Sequence, residues 1–309
     1  MNRYDDVQLD VPRLLKEQGA MLAAWDPRAR SGDGLGLLGG ARSRLRLALT
    51  ALSYRLGLHR RLVYANLKLD WFHEFRDYWM TALGNRPLEP HDFTFLLGVY
   101  RQRFQALDAE GLAVDERPLE AWRDPRSLYL LFAHHYKTAL RPLAVHRYVE
   151  FIPRGARVCE YGCGVAPMAT SLAGFYPHLN VSLTCADLPT ILFHFVRWKF
   201  RAARFVRAVP IDPAHDAPLE DEFDVIFCTE VLEHVLRPLP LLRHLHARLV
   251  RGGILVFDYI RSDGRGLDTV GGLRDRLPAL HFVREAFEFV RGEVPLDGSS
   301  VAPVVGRKR

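Results

Sequence analysis

The chain has 309 residues, 49% of them apolar, with a net charge of +6 and a pI near 9.2. That composition suits a full globular core, in two domains or in one with a large extension, and four cysteines are too few for a disulfide framework. The positive excess is mostly arginine and leaves open an anionic partner or simply a soluble surface. Met1 to Asp10 is polar and acidic, unlike a secretory leader. The longest uncharged run, Tyr161 to Ala186, is broken by Gly162, Gly164, Pro167, Gly174 and Pro177, so it reads as loop, helix and strand rather than a membrane span. A cytoplasmic protein with reduced thiols is expected.

The first half, residues 1–126, reads as a helical region ahead of a second unit at 127–309. Gly34-Leu35-Gly36-Leu37-Leu38-Gly39 spells a dinucleotide-like glycine pattern, but no strand precedes it, so a linker or turn is expected. Residues 41–63 form an amphipathic helix candidate. Leu45, Ala48, Leu49, Leu52 and Leu56 share one face, and Arg42, Arg44, Arg46, Arg55, Arg60 and Arg61 occupy the rest with no acid between them. A peripheral membrane or nucleic-acid contact is open to that helix, but packing against its own domain is the reading adopted. Aromatic helices follow over Trp71–Trp79 and Asp92–Leu107, then an irregular connection over Glu110–Pro125. Ser127–Phe151 is expected to be one long helix.

From Arg154 onward strands and helices alternate as in a doubly wound α/β sheet. Strands are expected near Arg157–Glu160, Asn180–Ala186, Arg204–Val209, Phe223–Thr229 and Gly253–Ile260. Helices are expected near Val165–Phe175, Thr190–Arg201, Arg237–Val250 and Gly266–Leu277. A closing hairpin over Phe282–Arg291 and Ser300–Arg307 completes a mostly parallel seven-stranded, Rossmann-like sheet. Between the first strand and its helix lies Glu160-Tyr161-Gly162-Cys163-Gly164-Val165-Ala166-Pro167, a turn in which two glycines let the backbone approach a ligand. A dinucleotide fingerprint needs a third glycine where Pro167 stands, and proline removes a donor there. Cys159 and Cys163, with three residues between them around this loop, are read as buried packing rather than metal ligands, because no second cysteine or histidine pair accompanies them.

The loop, an acid closing the second strand (Asp187), an acid after the third (Asp212), the Phe223-Asp224 strand and Arg251-Gly252-Gly253 occur in an order that resembles the class I S-adenosylmethionine (SAM) methyltransferases. The resemblance covers Arg154 to Arg309. It implies that Glu160, Tyr161, Gly162, Cys163 and Gly164 hold the methionine end of SAM. It places Asp187 and Leu188 at the ribose, and Asp212, with Asp216 competing, at the adenine amine. Many relatives carry a third glycine where this chain has Ala166. Tyr136, in His134-His135-Tyr136, lies where relatives cover the methionine end; the histidines themselves are read as packing. Helices ahead of such a domain form a lid over its substrate side.

After the fourth strand, Glu230-Val231-Leu232-Glu233-His234 resembles an E-x-x-E-H run of ubiquinone-type O-methyltransferases and small-RNA 2′-O-methyltransferases. In the latter the run holds a divalent metal. If this stretch is helical, Glu230, Glu233 and His234 share a face, and His281 is the candidate fourth ligand for Mg²⁺ or Mn²⁺. The alternative is metal-free, with His234 as general base or loop organiser and Glu230 and Tyr259 as further catalytic candidates. Tyr259, closing the fifth strand, is expected to face the substrate. The expected function is O-methylation of a small-molecule or glycosidic hydroxyl. An RNA methyltransferase and a non-catalytic SAM-fold subunit are the alternatives, and no recognised RNA module is present. The oligomeric state is not legible.

Overall fold

The computed structural model describes residues 69–109, 122–212, 218–261 and 268–309, together with five isolated positions before Leu69. The glycine-rich segment 31–40, the stretch 41–63 expected to be a basic helix (apart from Leu56 and Leu58, both exposed), most of the connection after Glu110, and Asp216 lie outside the described residues.

Seven strands form one mixed sheet: β1 (Arg157–Tyr161), β2 (Ser182–Asp187), β3 (Val206–Pro210), β4 (Phe223–Cys228), β5 (Leu249–Tyr259), β6 (Phe287–Arg291) and β7 (Val301–Lys308). Their order is β3-β2-β1-β4-β5-β7-β6. The first five pair in parallel, and β7 runs antiparallel to both β5 and β6. The chain moves outward from β1 to β3 and then returns to β4. The strand order therefore reverses between β1 and β4, and a crevice opens at their carboxyl ends. This is the Rossmann-like arrangement expected from the alternation.

The helices are α1 (Asp70–Thr81), α2 (Pro90–Ala109), α3 (Leu128–Leu140), α4 (Pro167–Phe175), α5 (Ile191–Lys199), α6 (Pro238–Arg248), α7 (Val270–Arg274) and α8 (Arg276–Ala286). Alternation along the central strands divides the core into two layers. Val158, Cys185, Phe227 and Val256 face α4, α5 and the 3₁₀ turn His146–Phe151. Cys159, Ala186, Ile226 and Phe257 face α6 and α8. All four cysteines are free and buried. Among the described residues, no helix is long and apolar enough to cross a membrane.

Two expected elements are redrawn. The long helix over Ser127–Phe151 ends at Leu140, and a separate 3₁₀ turn, His146–Phe151, follows. Pro142 is the cause: it disfavours helical geometry at Arg141, which adopts φ −135° and ψ 54°. The first half of the expected hairpin, Phe282–Ala286, belongs to α8. There Ala279, Leu280 and Val283 recur at helical spacing as buried residues, and that face outweighs the β-prone Phe282-Val283 pair. Only Phe287–Arg291 is strand.

The helices before the sheet do not float. Phe72, Phe75, Tyr78 and Trp79 of α1 join Phe132 of α3 and Phe195 and Trp198 of α5 in one aromatic cluster. Polar ties reinforce it: Tyr78 Oη lies 2.8 Å from His194 Nδ1, and Lys199 Nζ lies 2.8 Å from Glu74 Oε2.

Candidate active site

A cavity of about 1090 Å³ opens where β1, β2, β4 and β5 end. The loop after β1 shapes its floor. Gly162, Gly164 and Ala166 all adopt left-handed backbone, with φ of 64°, 55° and 54°. Ala166 stands where a glycine would be unstrained; an L-residue there costs about 1–2 kcal/mol. A Cβ on Gly162 would run into the Val231 side chain, so the loop after β1 and the turn after β4 fit together only through glycine. The amides of Gly162 and Cys163 donate to the Ala186 carbonyl at 2.8 and 3.2 Å, which fixes the loop to the end of β2.

Asp187 closes the other side of the floor. Its carboxylate accepts from the Gly164 amide at 2.5 Å and the Leu188 amide at 2.7 Å. Burial pushes its carboxyl up to about 6, against the downward pull of those amides. Glu160 also borders the cavity, but its two oxygens are taken by the amides of Met168 (3.0 Å) and Ala169 (2.8 Å) at the start of α4. Glu160 therefore anchors the helix whose N-terminus, at Pro167 and Met168, borders the cavity. Tyr161, Gly162, Cys163, Gly164, Asp187, Leu188 and Glu230 border the same space.

The turn after β4 departs from the expected helical one. Glu230 is left-handed at φ 56°, and its amide donates to Asp258 Oδ1 at 2.6 Å. Val231 is at φ −130°, and only Leu232–His234 forms a 3₁₀ turn. Glu230 and His234 border the cavity, whereas Glu233 points into the core. His281 lies exposed on α8. Among the described residues, no group of three or more His, Cys, Asp or Glu side chains is arranged to hold a metal ion. The expected Mg²⁺ or Mn²⁺ site is therefore corrected: with Glu230 out of helical geometry, the shared face that would gather the ligands does not exist.

Glu233 is instead a buried carboxyl with one oxygen that meets no hydrogen-bond partner among the described residues, and burial pushes it up to about 8. The folded chain keeps a proton there that the unfolded chain releases above about 4.5, so this residue's contribution to stability falls as pH rises through that window. Glu233→Gln removes the titration. The variant is expected to gain about 2 kcal/mol at pH 8, and much less at pH 5, by chemical denaturation.

Three further expectations are revised. Tyr259 is fully buried, donates to the Gly272 carbonyl and lies under the Arg276 guanidinium, 4.3 Å from its ring centre. Strand alternation turns Tyr259 to the α8 side and presents Asp258 to the cavity instead. Burial pushes the Asp258 carboxyl up to about 7. Tyr136 packs edge-on against Trp71 at 5.0 Å, and its neighbour His134 borders the cavity. Ile211 borders the cavity, while Asp212 is exposed outside it.

The face of α3 is what the sequence reading missed. His134, Lys137, Thr138 and Arg141 border the cavity together, at helical spacing along an otherwise apolar segment. Tyr136, about 200° round from His134, has to face away. Burial lowers His134 to about 4, with Lys137 and His234 adding to the effect, so its imidazole is neutral. His234 meets the edge of Trp122, with ring centres 5.5 Å apart.

A family profile described as a methyltransferase domain matches residues 132–295, more than half of the chain. No curated protein matches it. Similar solved structures include a TehB-like SAM-dependent methyltransferase from Corynebacterium glutamicum, 22% identical over 58% of this chain and 99% of that one (TM-score 0.40). TrmN from Thermus thermophilus is 19% identical over 56% and 49% (TM-score 0.39). StiE O-MT residues 961–1257 are 14% identical over 58% and 77% (TM-score 0.42). The match spans about half of TrmN and 61% of TehB from Haemophilus influenzae.

Proposed function

The chain belongs to the family of methyltransferase domains; from that premise we propose that it is a SAM-dependent methyltransferase whose acceptor is a hydroxyl oxygen of a small molecule. The observation that carries this reading is the meeting of His134, His234 and Trp122 in one cavity with the Gly162–Gly164 loop and Asp187. Its volume, about 1090 Å³, suits a cofactor with one compact acceptor.

The donor set fits SAM. At Gly164 a Cβ would stand in open space on the cavity side, with only His134 Nδ1 near it at 4.0 Å, so the loop leaves a cradle there, and Asp187 is a carboxylate able to accept two ribose hydroxyls. SAM, when bound, supplies an electrophilic methyl group on a sulfonium. His234 takes the acceptor hydroxyl's proton as the oxygen attacks, and the Trp122 edge holds the imidazole plane. His134, kept neutral by burial, borders the site without adding a charge that would repel a sulfonium. The helices α1 to α3 act as the cap of the acceptor side, with α3 presenting its polar face inward.

The test is methyl transfer from labelled SAM to a panel of hydroxylated small molecules. His234→Asn is expected to lower kcat by about 10²–10⁴-fold with S-adenosylhomocysteine affinity unchanged. Turnover confined to RNA, or methylation at nitrogen, overturns the acceptor assignment. Unchanged kcat removes His234 as the base.

The state of Asp187 adds a pH dependence. Only the carboxylate accepts both hydroxyls, so S-adenosylhomocysteine affinity is expected to hold above pH 6 and to fall below it. The limit is about tenfold per pH unit. Calorimetry from pH 5 to 8 checks this, and Asp187→Asn should flatten the profile at the weaker value.

A further inference from the structure

The cations on the acceptor side have no part in the chemistry above. Lys137 and Arg141 stand one turn apart at the carboxyl end of α3, and Arg147 follows on the 3₁₀ turn His146–Phe151; all three are exposed and border the cavity. Among the described residues, none of the three forms an ion pair with a carboxylate. A cation in a helix's last turn answers its carbonyl end, which accounts for Lys137 but not for Arg147 beyond the helix.

Arg147 is set apart from the cofactor floor, whereas α3 reaches it through His134, whose Nδ1 would lie 4.0 Å from a Cβ on Gly164. Tyr148, next to Arg147, packs on Phe227 of β4 with ring centres 5.7 Å apart, and the Arg147 carbonyl accepts from Arg291 of β6. Pro303 of β7 also borders the cavity. Arg147 thus stands over the β4-to-β6 half of the sheet, whereas the glycine loop and Asp187 follow β1 and β2. Leu140, Leu143 and Ala144, between Lys137 and Arg147 in sequence, add apolar lining to the same cavity.

We propose that the methyl acceptor carries an anionic group, a carboxylate or a phosphate, bound by Lys137, Arg141 and Arg147 while its apolar body lies along Leu140, Leu143 and Ala144. The guanidinium forks match either oxyanion. This rests on the small-molecule methyltransferase reading above.

The full chain, saturated with S-adenosylhomocysteine, is titrated calorimetrically with citrate and with inorganic pyrophosphate at constant ionic strength. Saturable binding of at least one is expected, and the stronger of the two identifies the oxyanion. Arg141→Gln/Arg147→Gln is expected to weaken it about tenfold or more, with unchanged S-adenosylhomocysteine affinity and melting temperature; Arg141→Lys should retain most of it. No saturable binding of either anion, or equal binding by the double variant, overturns the proposal. So does a parallel loss of S-adenosylhomocysteine affinity, which would assign the cations to the cofactor's own carboxylate. Tighter binding of a decauridylate RNA than of both anions overturns it in favour of a polymer. Failure of the unaltered chain to bind S-adenosylhomocysteine would instead sink the underlying methyltransferase reading.

Discussion

Gly162→Val is expected to lower S-adenosylhomocysteine affinity about a hundredfold or more, the equivalent of about 3 kcal/mol. Two effects act together. The residue sits at φ 64°, where a β-branched side chain is strained, and the new Cβ would overlap the Val231 side chain. Relieving that overlap moves either the loop that borders the cofactor side or the turn that carries Glu230 and His234. The double variant Gly162→Ala/Val231→Ala separates the causes, because it removes the overlap and keeps the backbone strain. If the double variant regains most of the affinity, the clash between loop and turn causes most of the loss. If it stays as weak as the valine variant, the strained backbone does. Wild-type affinity in Gly162→Val would show that the loop does not approach the ligand at all. Circular dichroism and melting curves on each variant keep lost binding distinct from lost fold.

The sheet was legible because parallel strands buried on both faces leave short apolar runs, and each loop at their carboxyl ends carries glycine or an acid. Gly162, Gly164 and Asp187 could be located from those signals alone. What escaped the sequence depended on backbone geometry that residue types do not announce. The run from Glu230 to His234 has helical spacing, yet the amide of Glu230 turns back to Asp258 and sets the residue left-handed. That single deviation sends Glu233 into the core and removes the metal arrangement. Tyr259 and Asp258 are adjacent, and only strand register decides which faces the cavity; the aromatic ring drew attention while the acid bordered the site. On α3 the signal was present but misread. His134, Lys137, Thr138 and Arg141 form a polar stripe on an apolar helix, and a stripe of that kind marks a face turned toward solvent or a site.

Phe132→Ala is expected to cost about 3–5 kcal/mol, the range for emptying a fully buried aromatic site. Phe132 has no exposed surface, and its ring lies 4.7 Å from Phe75, 5.8 Å from Trp79, 4.8 Å from Phe93 and 6.2 Å from Tyr100. Those partners come from α1 and α2, so the cavity left by alanine opens where three helices meet. Phe104→Ala is the control: that ring is half-buried and pairs with Tyr129 at 5.5 Å, so a loss of about 1 kcal/mol is expected. The functional consequence follows from the two faces of α3. One packs Phe132 into the cluster, and the other presents His134, Lys137 and Arg141 to the cavity. Loosening the first therefore displaces the second, and turnover should fall further in Phe132→Ala than in Phe104→Ala. Thermal melting decides how the helices relate to the sheet. If they cap the site as proposed, Phe132→Ala lowers a single transition by about 10 °C and weakens acceptor binding with it. A variant that lowers only an early, separate transition, with turnover intact, would instead make the helical region an independent module.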